Sequence, residues 1–308
     1  GYTKALNGGS DSNTLNLLDG ASVTTGYAGY TEGRNLLLHP TDENDPTAVD
    51  TTKNADAKNN TVNIKGGTLN AGGKLYGGYI AANAELTPPN NVSAGNASGN
   101  TINIEEGTFD GSTEIYGGYT NGTGKVTGNT INLGKSDGTL SAATLSNTFL
   151  YGGASSGSAS DVMTDNTLNV KGKNITVRGV ENFGKANFDL ANKAVGDTLL
   201  KITGGATNKM DWAGVEVVQS TYSFTPKSYD KRLFTLMDNE DGISFMKGTT
   251  DTYATIGAKE RTFGNYEFVI DTDNHTGHAT RYVYADGFQF KDNTAATYTS
   301  AEGTHDAA

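Results

Sequence analysis

The chain has 308 residues, of which 41 are Gly, 43 Thr and 31 Asn, so three residue types make up more than a third of it. It has no Cys and a formal net charge of −11 at pH 7. These values exclude disulfides, thiol catalysis and Cys-based zinc sites, and they argue against nucleic-acid partners, whose phosphates require Lys and Arg. No apolar run approaches the roughly 18 residues of a membrane-spanning helix.

Two short motifs recur in the first 180 residues. The first, Asn-Thr-aliphatic-Asn-aliphatic, begins at Asn13, Asn60, Asn100, Asn129 and Asn166. The second, Tyr-Gly-Gly-Tyr or a variant of it, begins at Gly26, Tyr76, Tyr116 and Tyr151. In the two clearest copies the motifs start sixteen residues apart. Two motifs in a fixed order predict a fold built from internal repeats.

The first motif has the alternation of a β-strand. Val62 and Ile64 would share one side of the strand and Thr61 and Asn63 the other. One such unit cannot bury its few apolar side chains, but stacked units bury a continuous column. Asn at the turns can bond to the units above and below, and Gly or Asn is expected at the corners. The sequence therefore predicts an all-β fold, a right-handed parallel β-helix with a C-terminal β-rich cap. A β-sandwich array is the alternative, but the evenly spaced two-residue hairpins that it requires are missing from the first 180 residues.

The length of the repeat varies mainly after the second motif. The two long intervening segments are residues 31–59 and 80–99, and both are polar. Insertions confined to one place in a repeat predict loops that leave one corner of the stack. We expect ligand contacts in these two segments.

The sequence changes character after about residue 180, where the repeats stop and Tyr and Phe become denser. Residues 266–271, a turn at 272–277 and residues 278–284 read as a strand–turn–strand hairpin. We therefore divide the chain into a repeat-containing region, 1–179, and a C-terminal capping region, 180–308. Stacked repeats need such a cap because an open end exposes backbone edges and apolar side chains.

The repeats resemble passenger domains of type V (autotransporter) outer-membrane proteins of Gram-negative bacteria. Segments 175–180, 182–183, 188–190 and 196–202 resemble the junction at which such passengers enter a C-terminal autochaperone-like region. The resemblance implies a protein at the bacterial cell surface, tethered to the outer membrane or secreted. It also implies that this sequence is a passenger fragment, attached to the membrane only through a β-barrel that would follow the polar tail at 297–308.

Residues that carry chemistry are few. The four histidines are His39, His275, His278 and His305, and only His275 and His278, beside Asp271 and Asp273, form a cluster with ligand character. We interpret that cluster as a solvated hairpin tip. An EF-hand reading fails because the twelfth position is Tyr282 instead of Glu. We expect no catalytic residue, no cofactor and no metal site.

The recurring tyrosines are the best candidates for ligand contact, namely Tyr76, Tyr79, Tyr116, Tyr119 and Tyr151, with Tyr27 and Tyr30 as their equivalents in the first repeat. If exposed, they would form an aromatic ladder suited to sugars or proteins; if inward, they stack in the core, which the flanking Gly-Gly favours. The sequence predicts an adhesin that binds a host-cell or bacterial surface protein or glycan, or that associates with itself. The alternatives are a carbohydrate-active β-helix enzyme with carboxylates gathered from several repeats, and a structural stalk without a ligand.

Overall fold

The fold is all-β. The computed structural model describes residues 9–32, 55–82, 94–135, 140, 145–190, 193–194 and 196–204, and also the strands at 2–3, 209–210, 215–218, 234–239, 244–245, 261–263, 266–275, 280–291 and 297–298. Twenty-five strands and no helix are present in these residues. The predicted β class is therefore confirmed.

The strands, numbered in chain order, form four sheets. The largest, curled sheet contains β1 (Tyr2–Thr3), β3 (Thr14–Leu17), β4 (Ser22–Glu32), β6 (Thr61–Ala81), β8 (Thr101–Phe109), β9 (Thr113–Thr120), β11 (Thr130–Leu133), β12 (Thr148–Ser155), β13 (Thr167–Val170), β15 (Gly179–Glu181), β16 (Lys185–Asp189) and β19 (Val215–Val218). The second contains β2 (Ser10–Asp11), β5 (Ala57–Lys58), β7 (Ala97–Ser98) and β10 (Val126–Thr127). The third contains β14 (Ile175–Val177), β17 (Thr198–Ile202), β20 (Phe234–Asn239), β22 (Arg261–Phe263), β23 (Tyr266–His275), β24 (Thr280–Lys291) and β25 (Thr297–Tyr298), and the fourth β18 (Lys209–Met210) and β21 (Ser244–Phe245).

Equivalent positions of the repeats pair with one another in three parallel ladders. In the first ladder, the Asn-Thr motifs of β3, β6, β8, β11 and β13 align residue for residue. In the second ladder, the Tyr-Gly-Gly segments of β4, β6, β9 and β12 align in the same way. The third ladder is the four-stranded sheet, β2-β5-β7-β10. Each full repeat crosses the third, first and second ladders in that order, and we call one such passage a rung.

The core lies between the ladders and consists of stacked aliphatic side chains. In the first ladder Val62, Ile64, Ile102 and Ile104 are completely buried, as strand alternation predicts. In the second ladder the inward column is Leu75, Ile115, Leu150 and Val180. A small separate cluster contains Ala57, Ala97 and Val126 of the third ladder together with Ile80 of β6. Burial of apolar side chains is the main favourable term for such a stack.

In each copy of the first motif the chain turns into the first ladder through one residue with positive φ. These residues are Ser12, Asn59, Gly99, Gly128 and Asp165, with φ between 56° and 70°. Each directly precedes the first Asn of a motif, so the corner is the same in all five copies. Gly, Asn and Asp tolerate this left-handed conformation best, which explains the predicted Gly and Asn corners. Asp165 and Ser12 depart from that expectation.

Parallel pairing continues beyond residue 180, since β16 pairs with β13, β17 with β14, β19 with β16 and β20 with β17. The pattern then changes, because β20 pairs antiparallel with β24, and β24 with β23. The hairpin predicted at 266–284 is present as the antiparallel pair β23–β24, whose strands extend beyond the predicted ends at 271 and 284 to His275 and Lys291. The division into 1–179 and 180–308 stays a prediction.

Candidate functional site: an aromatic face on the second ladder

Seven tyrosines form an aromatic face on the outer side of the second ladder. They stand in two columns: Tyr27, Tyr76, Tyr116 and Tyr151 in one, and Tyr30, Tyr79 and Tyr119 in the other. The structure thus brings together all five tyrosines predicted as contact residues, and both of their equivalents in the first repeat. The second column ends at Ala154, which pairs with Tyr119.

Strand alternation directs the rings of the first column outward. Leu75 and Ile115 point into the core, so the tyrosine that follows each of them points away from it. Tyr76 and Tyr116 are nevertheless only 6% and 7% exposed, because neighbouring tyrosines cover them. The other five are of intermediate exposure. The rings are therefore stacked as the Gly-Gly flanks suggested, but on the outside of the sheet instead of in its core.

The rings stack on each other along the direction in which the rungs follow one another. In the first column, centroids lie 4.6 to 5.1 Å apart with planes within 10° of parallel. In the second column they lie 5.2 and 5.4 Å apart. Between columns the rings meet edge to face, with centroids 4.8 to 5.3 Å apart within a rung. Because neighbouring rings occupy the aromatic faces, a ligand meets mainly ring edges and hydroxyl groups.

An ion pair and a hydrogen bond fix the centre of the aromatic face. Lys74 Nζ lies 2.6 Å from Glu114 Oε2, and the Tyr116 hydroxyl donates to the same oxygen at 2.7 Å. Burial alone would raise the pKa of Glu114, but the hydrogen bonds from Lys74 and Tyr116 outweigh it and lower that pKa. In the second column, Asn121 Nδ2 donates to the Tyr79 hydroxyl at 3.3 Å.

Burial keeps the tyrosine hydroxyls protonated. Loss of water contact raises the pKa of Tyr27, Tyr76, Tyr79 and Tyr116 above the ordinary value. The same cause, with the nearby carboxylate of Glu181, raises the pKa of Tyr151 to about 12. At physiological pH these five hydroxyl groups are therefore neutral and can donate or accept hydrogen bonds.

One end of the first tyrosine column carries a cation. Phe149 stacks on Tyr151 with centroids 6.0 Å apart. The guanidinium of Arg178 lies 5.1 Å from the centroid of the Phe149 ring, within cation–π distance. Sequence reasoning missed Phe149 and Arg178, because neither belongs to a repeated motif.

An inner asparagine column lies behind the aromatic face. Its members, Asn60, Asn100, Asn129 and Asn166, are the first residues of their motifs and are completely buried. Asn100 Oδ1 accepts both the backbone N–H and the side-chain amide of Asn60, at 3.0 and 2.9 Å. Asn100 Nδ2 in turn donates to Ala57 O and to Asn129 Oδ1. Both amide hydrogens and the side-chain oxygen are thus fully used in the interior.

The Gly-Gly dipeptide of the second motif makes room for this inner column. A Cβ atom on Gly78 would lie 2.5 Å from Asn100 Nδ2 and 2.8 Å from Ala57 O. A Cβ atom on Gly118 would lie 2.8 Å from Asn129 Nδ2. The two motifs recur together because the glycines of one pack against the asparagines of the other.

An outer asparagine column runs along the first ladder, on the side facing away from the core. Each amide donates to the side-chain oxygen of its neighbour at 2.7 to 2.9 Å. The column contains Asn16, Asn63, Asn103, Asn132, Asn169 and Asn187. Beside it runs a threonine column, Thr14, Thr61, Thr101, Thr130 and Thr167. Together they form what we call the Thr–Asn face.

The histidine side chains and most of the two long polar segments lie where the structure does not describe the chain. His275 ends β23, but its side chain and the residues His39, His278 and His305 lie outside the described part of the chain. So do residues 33–54 and 83–93 of the two predicted contact segments. Their described ends are adjacent: Glu32 pairs with Ala81, where the segments begin, and Ala57 pairs with Ala97, where they end. Both insertions therefore start and finish at the same corner, as the repeat pattern predicted.

No group of three or more His, Asp or Glu side chains that could hold a metal ion occurs where the structure describes the chain. Nor do the described residues include a helix long and apolar enough to cross a bilayer. Among the described carboxylates, Glu106 of β8 forms an ion pair with Lys135.

Comparison with known proteins adds no relative. No protein-family model, no curated protein and no solved structure matches this chain.

Proposed function

We propose that this chain is an adhesive passenger domain of the autotransporter type, folded as a right-handed parallel β-helix, and that it binds its surface ligand through the aromatic face. The support for the fold is the order in which each repeat crosses the three parallel ladders, since a chain that repeats this order forms a coil. The support for the family is the pair of motifs that resembles such passengers.

The observation that carries the function is the aromatic face itself. Tyrosines supply large, rigid contact areas and lose little conformational entropy on binding. Stacking and the Lys74–Glu114–Tyr116 contacts already hold these side chains in place, so a ligand has less ordering to impose.

The geometry also narrows the ligand. Sugar rings that stack flat on aromatic faces do not fit the columns, because those faces are already covered by neighbouring rings. Hydroxyl groups and ring edges suit a protein surface, or a glycan held by hydrogen bonds. The charge of −11 disfavours strongly anionic polymers. The proposed partner is therefore a protein or a neutral glycan on a host or bacterial surface.

The proposal is tested by screening the purified chain against arrays of glycans and host-matrix proteins. We expect specific binding without chemical change of the ligand. The double substitution Tyr79→Ser/Tyr119→Ser should reduce affinity at least tenfold, because it removes two rings and hydroxyl groups of intermediate exposure. Tyr79→Phe/Tyr119→Phe separates the contribution of the hydroxyls from that of the rings.

The matched control is Asn63→Ser/Asn103→Ser, which alters the outer side of the first ladder and should leave binding unchanged. Undiminished binding by a folded Tyr79→Ser/Tyr119→Ser variant would remove the aromatic face from the proposal. Absence of any ligand on the arrays would favour the structural stalk.

A further inference from the structure

The Thr–Asn face is an uncharged polar array with a strictly repeated spacing. Its threonines and asparagines are register partners in successive rungs, so each column advances by one strand spacing, about 4.8 Å, per rung. The side chains are exposed in the first rung and of intermediate exposure in the next four. They project from the sheet opposite the completely buried aliphatic column.

The outer amides keep part of their hydrogen-bonding capacity for another molecule. Within the column, Asn103 Nδ2 donates one hydrogen to Asn63 Oδ1, at 2.8 Å, and Asn103 Oδ1 accepts one hydrogen from Asn132, at 2.7 Å. An amide has two hydrogens and its oxygen two lone pairs. Each rung therefore retains one donor and one acceptor, and all the amides point the same way along the column.

The face is also free of charge for five rungs. Between the rung of Thr14 and the rung of Thr167, both of its columns contain only Thr and Asn, and Lys185 is the first charged residue in the threonine position. The whole chain carries a net charge of −11. Two copies that met through the acidic parts of their surfaces would repel each other. Contact through the Thr–Asn face avoids this repulsion, because neither column carries a charge over these five rungs.

We propose that the Thr–Asn face associates with the Thr–Asn face of a second copy of this chain. A stack of β-strands is the kind of partner whose side chains repeat at this same spacing, and paired sheets with asparagine ladders interdigitate at such contacts. A second copy of this chain has both the same side-chain spacing and an asparagine ladder of its own in every rung. The charges at the border of the face, among them Lys65 and Glu106, limit the contact to the two columns.

The size of the face sets the strength of the contact. Five rungs extend over about 20–25 Å, and two columns cover far less than the roughly 800 Å² per partner of a stable complex. The contact between two isolated copies is thus weak. Many copies on one surface strengthen it through multivalency. Association through the Thr–Asn face does not depend on ligand binding by the aromatic face.

The test uses beads that display many copies of the chain and scores their clumping by turbidity. We expect beads with the native chain to clump. Thr61→Glu/Thr130→Glu should reduce clumping at least tenfold, because each copy then presents like charges to the other. Residues 61 and 130 are separated by the rung of Thr101, so the two new carboxylates are not neighbours within one chain.

Variants of opposite charge distinguish loss of this contact from loss of the fold. Thr61→Lys/Thr130→Lys beads should also stay dispersed alone, while a mixture of Glu and Lys beads should clump again. The control Ser112→Glu/Thr123→Glu adds the same charge at exposed positions outside the face and should clump like the native chain.

Several results would overturn the proposal: native beads that stay dispersed, Glu-variant beads that clump as well as native beads, or control beads that disperse equally. The ligand arrays distinguish the two proposals. The Thr61→Glu/Thr130→Glu variant should keep its array binding, and Tyr79→Ser/Tyr119→Ser beads should keep clumping.

Discussion

Each repeat carries two asparagines three positions apart, and the fold uses them in opposite environments. Asn100 belongs to the inner column, completely buried, while Asn103 belongs to the outer column at the surface. Both donate to and accept from equivalent residues in adjacent rungs. The same hydrogen-bond pattern therefore stabilises the fold where water is excluded and orders a regular polar face where water has access.

The difference lies in what replaces a lost hydrogen bond. A polar group exposed by mutation at the surface bonds to water, so a neutral hydrogen bond there contributes only about 1 kcal/mol. A buried group left without its partner loses the full cost of its desolvation, about 1–3 kcal/mol. The inner column thus holds adjacent rungs in register, and the outer faces depend on that register for their regular spacing.

The largest effect is expected for Asn100→Ala. It leaves the backbone N–H and side-chain amide of Asn60, and the carbonyl of Ala57, without their partner. We expect the free energy of unfolding to fall by about 3 kcal/mol or more. The measurement is chemical denaturation followed by circular dichroism, and a loss no larger than that of an exposed asparagine would contradict the role of the inner column.

The next effect concerns the glycines that face the inner column. Gly78→Ala places a methyl group against Asn100 Nδ2 and Ala57 O, and we expect it to lower the free energy of unfolding by about 1–3 kcal/mol. Gly204→Ala is the matched control, since its nearest contact would be an ordinary 3.5 Å to Arg178 Cγ. That control should change stability by less than about 0.5 kcal/mol. Equal effects of the two substitutions would exclude close packing as the reason for Gly-Gly.

The aromatic face makes stability sensitive to alkaline pH. Burial raises the pKa of Tyr27, Tyr76, Tyr79, Tyr116 and Tyr151 in the folded chain. Above pH 10 the unfolded chain therefore binds fewer protons than the folded chain, and the free energy of unfolding falls as pH rises. The loss begins near pH 10 and for Tyr151 continues to about 12.

Tyrosine absorbance and unfolding, measured together against pH, check this prediction. A Tyr76→Phe/Tyr116→Phe variant should lose stability less steeply with pH. If the tyrosine absorbance of the native chain and of that variant changed with pH in the same way while both were still folded, the result would contradict the raised pKa values of Tyr76 and Tyr116.

The smallest effect is expected for Asn103→Ala. Its hydrogen bonds to Asn63 and Asn132 are replaced by water, so the free energy of unfolding should fall by about 1 kcal/mol or less. The same denaturation experiment measures it. A loss as large as that of Asn100→Ala would erase the distinction between the two columns.

Much of the fold could be predicted because alternation and repetition constrain it jointly. Val62 and Ile64 had to share a buried side, and identical motifs had to stack, which correctly predicted parallel pairing in register. Asparagines that bond to the repeats above and below were predicted as well, and the inner column contains them. The repeat pattern did not show that Asn60 is completely buried while Asn63 lies at the surface; the close approach of the Gly-Gly dipeptides to the inner column accompanies that burial.

The orientation of the tyrosines was also beyond the sequence. Gly77 and Gly78 interrupt the alternation between Tyr76 and Tyr79, so the pattern allowed the rings to face inward or outward. The structure places them outside, stacked on one another. Phe149 and Arg178, at the end of the column, carry no repeated pattern, and only their proximity in the folded chain connects them with the aromatic face.

The aromatic face and the Thr–Asn face both require that successive repeats stack in parallel with equivalent residues paired. Because the chain has no Cys, any disulfide would join introduced residues. Thr101 pairs with Thr130, at about the 4.8 Å spacing of adjacent strands, which lies within the range a disulfide spans. Thr101→Cys/Thr130→Cys should form an intramolecular disulfide readily on mild oxidation in dilute solution. Thr101→Cys/Asn132→Cys, displaced by two residues and about 8 Å apart, should not. A faster bond in the displaced pair, or none in the aligned pair, would contradict the stacking.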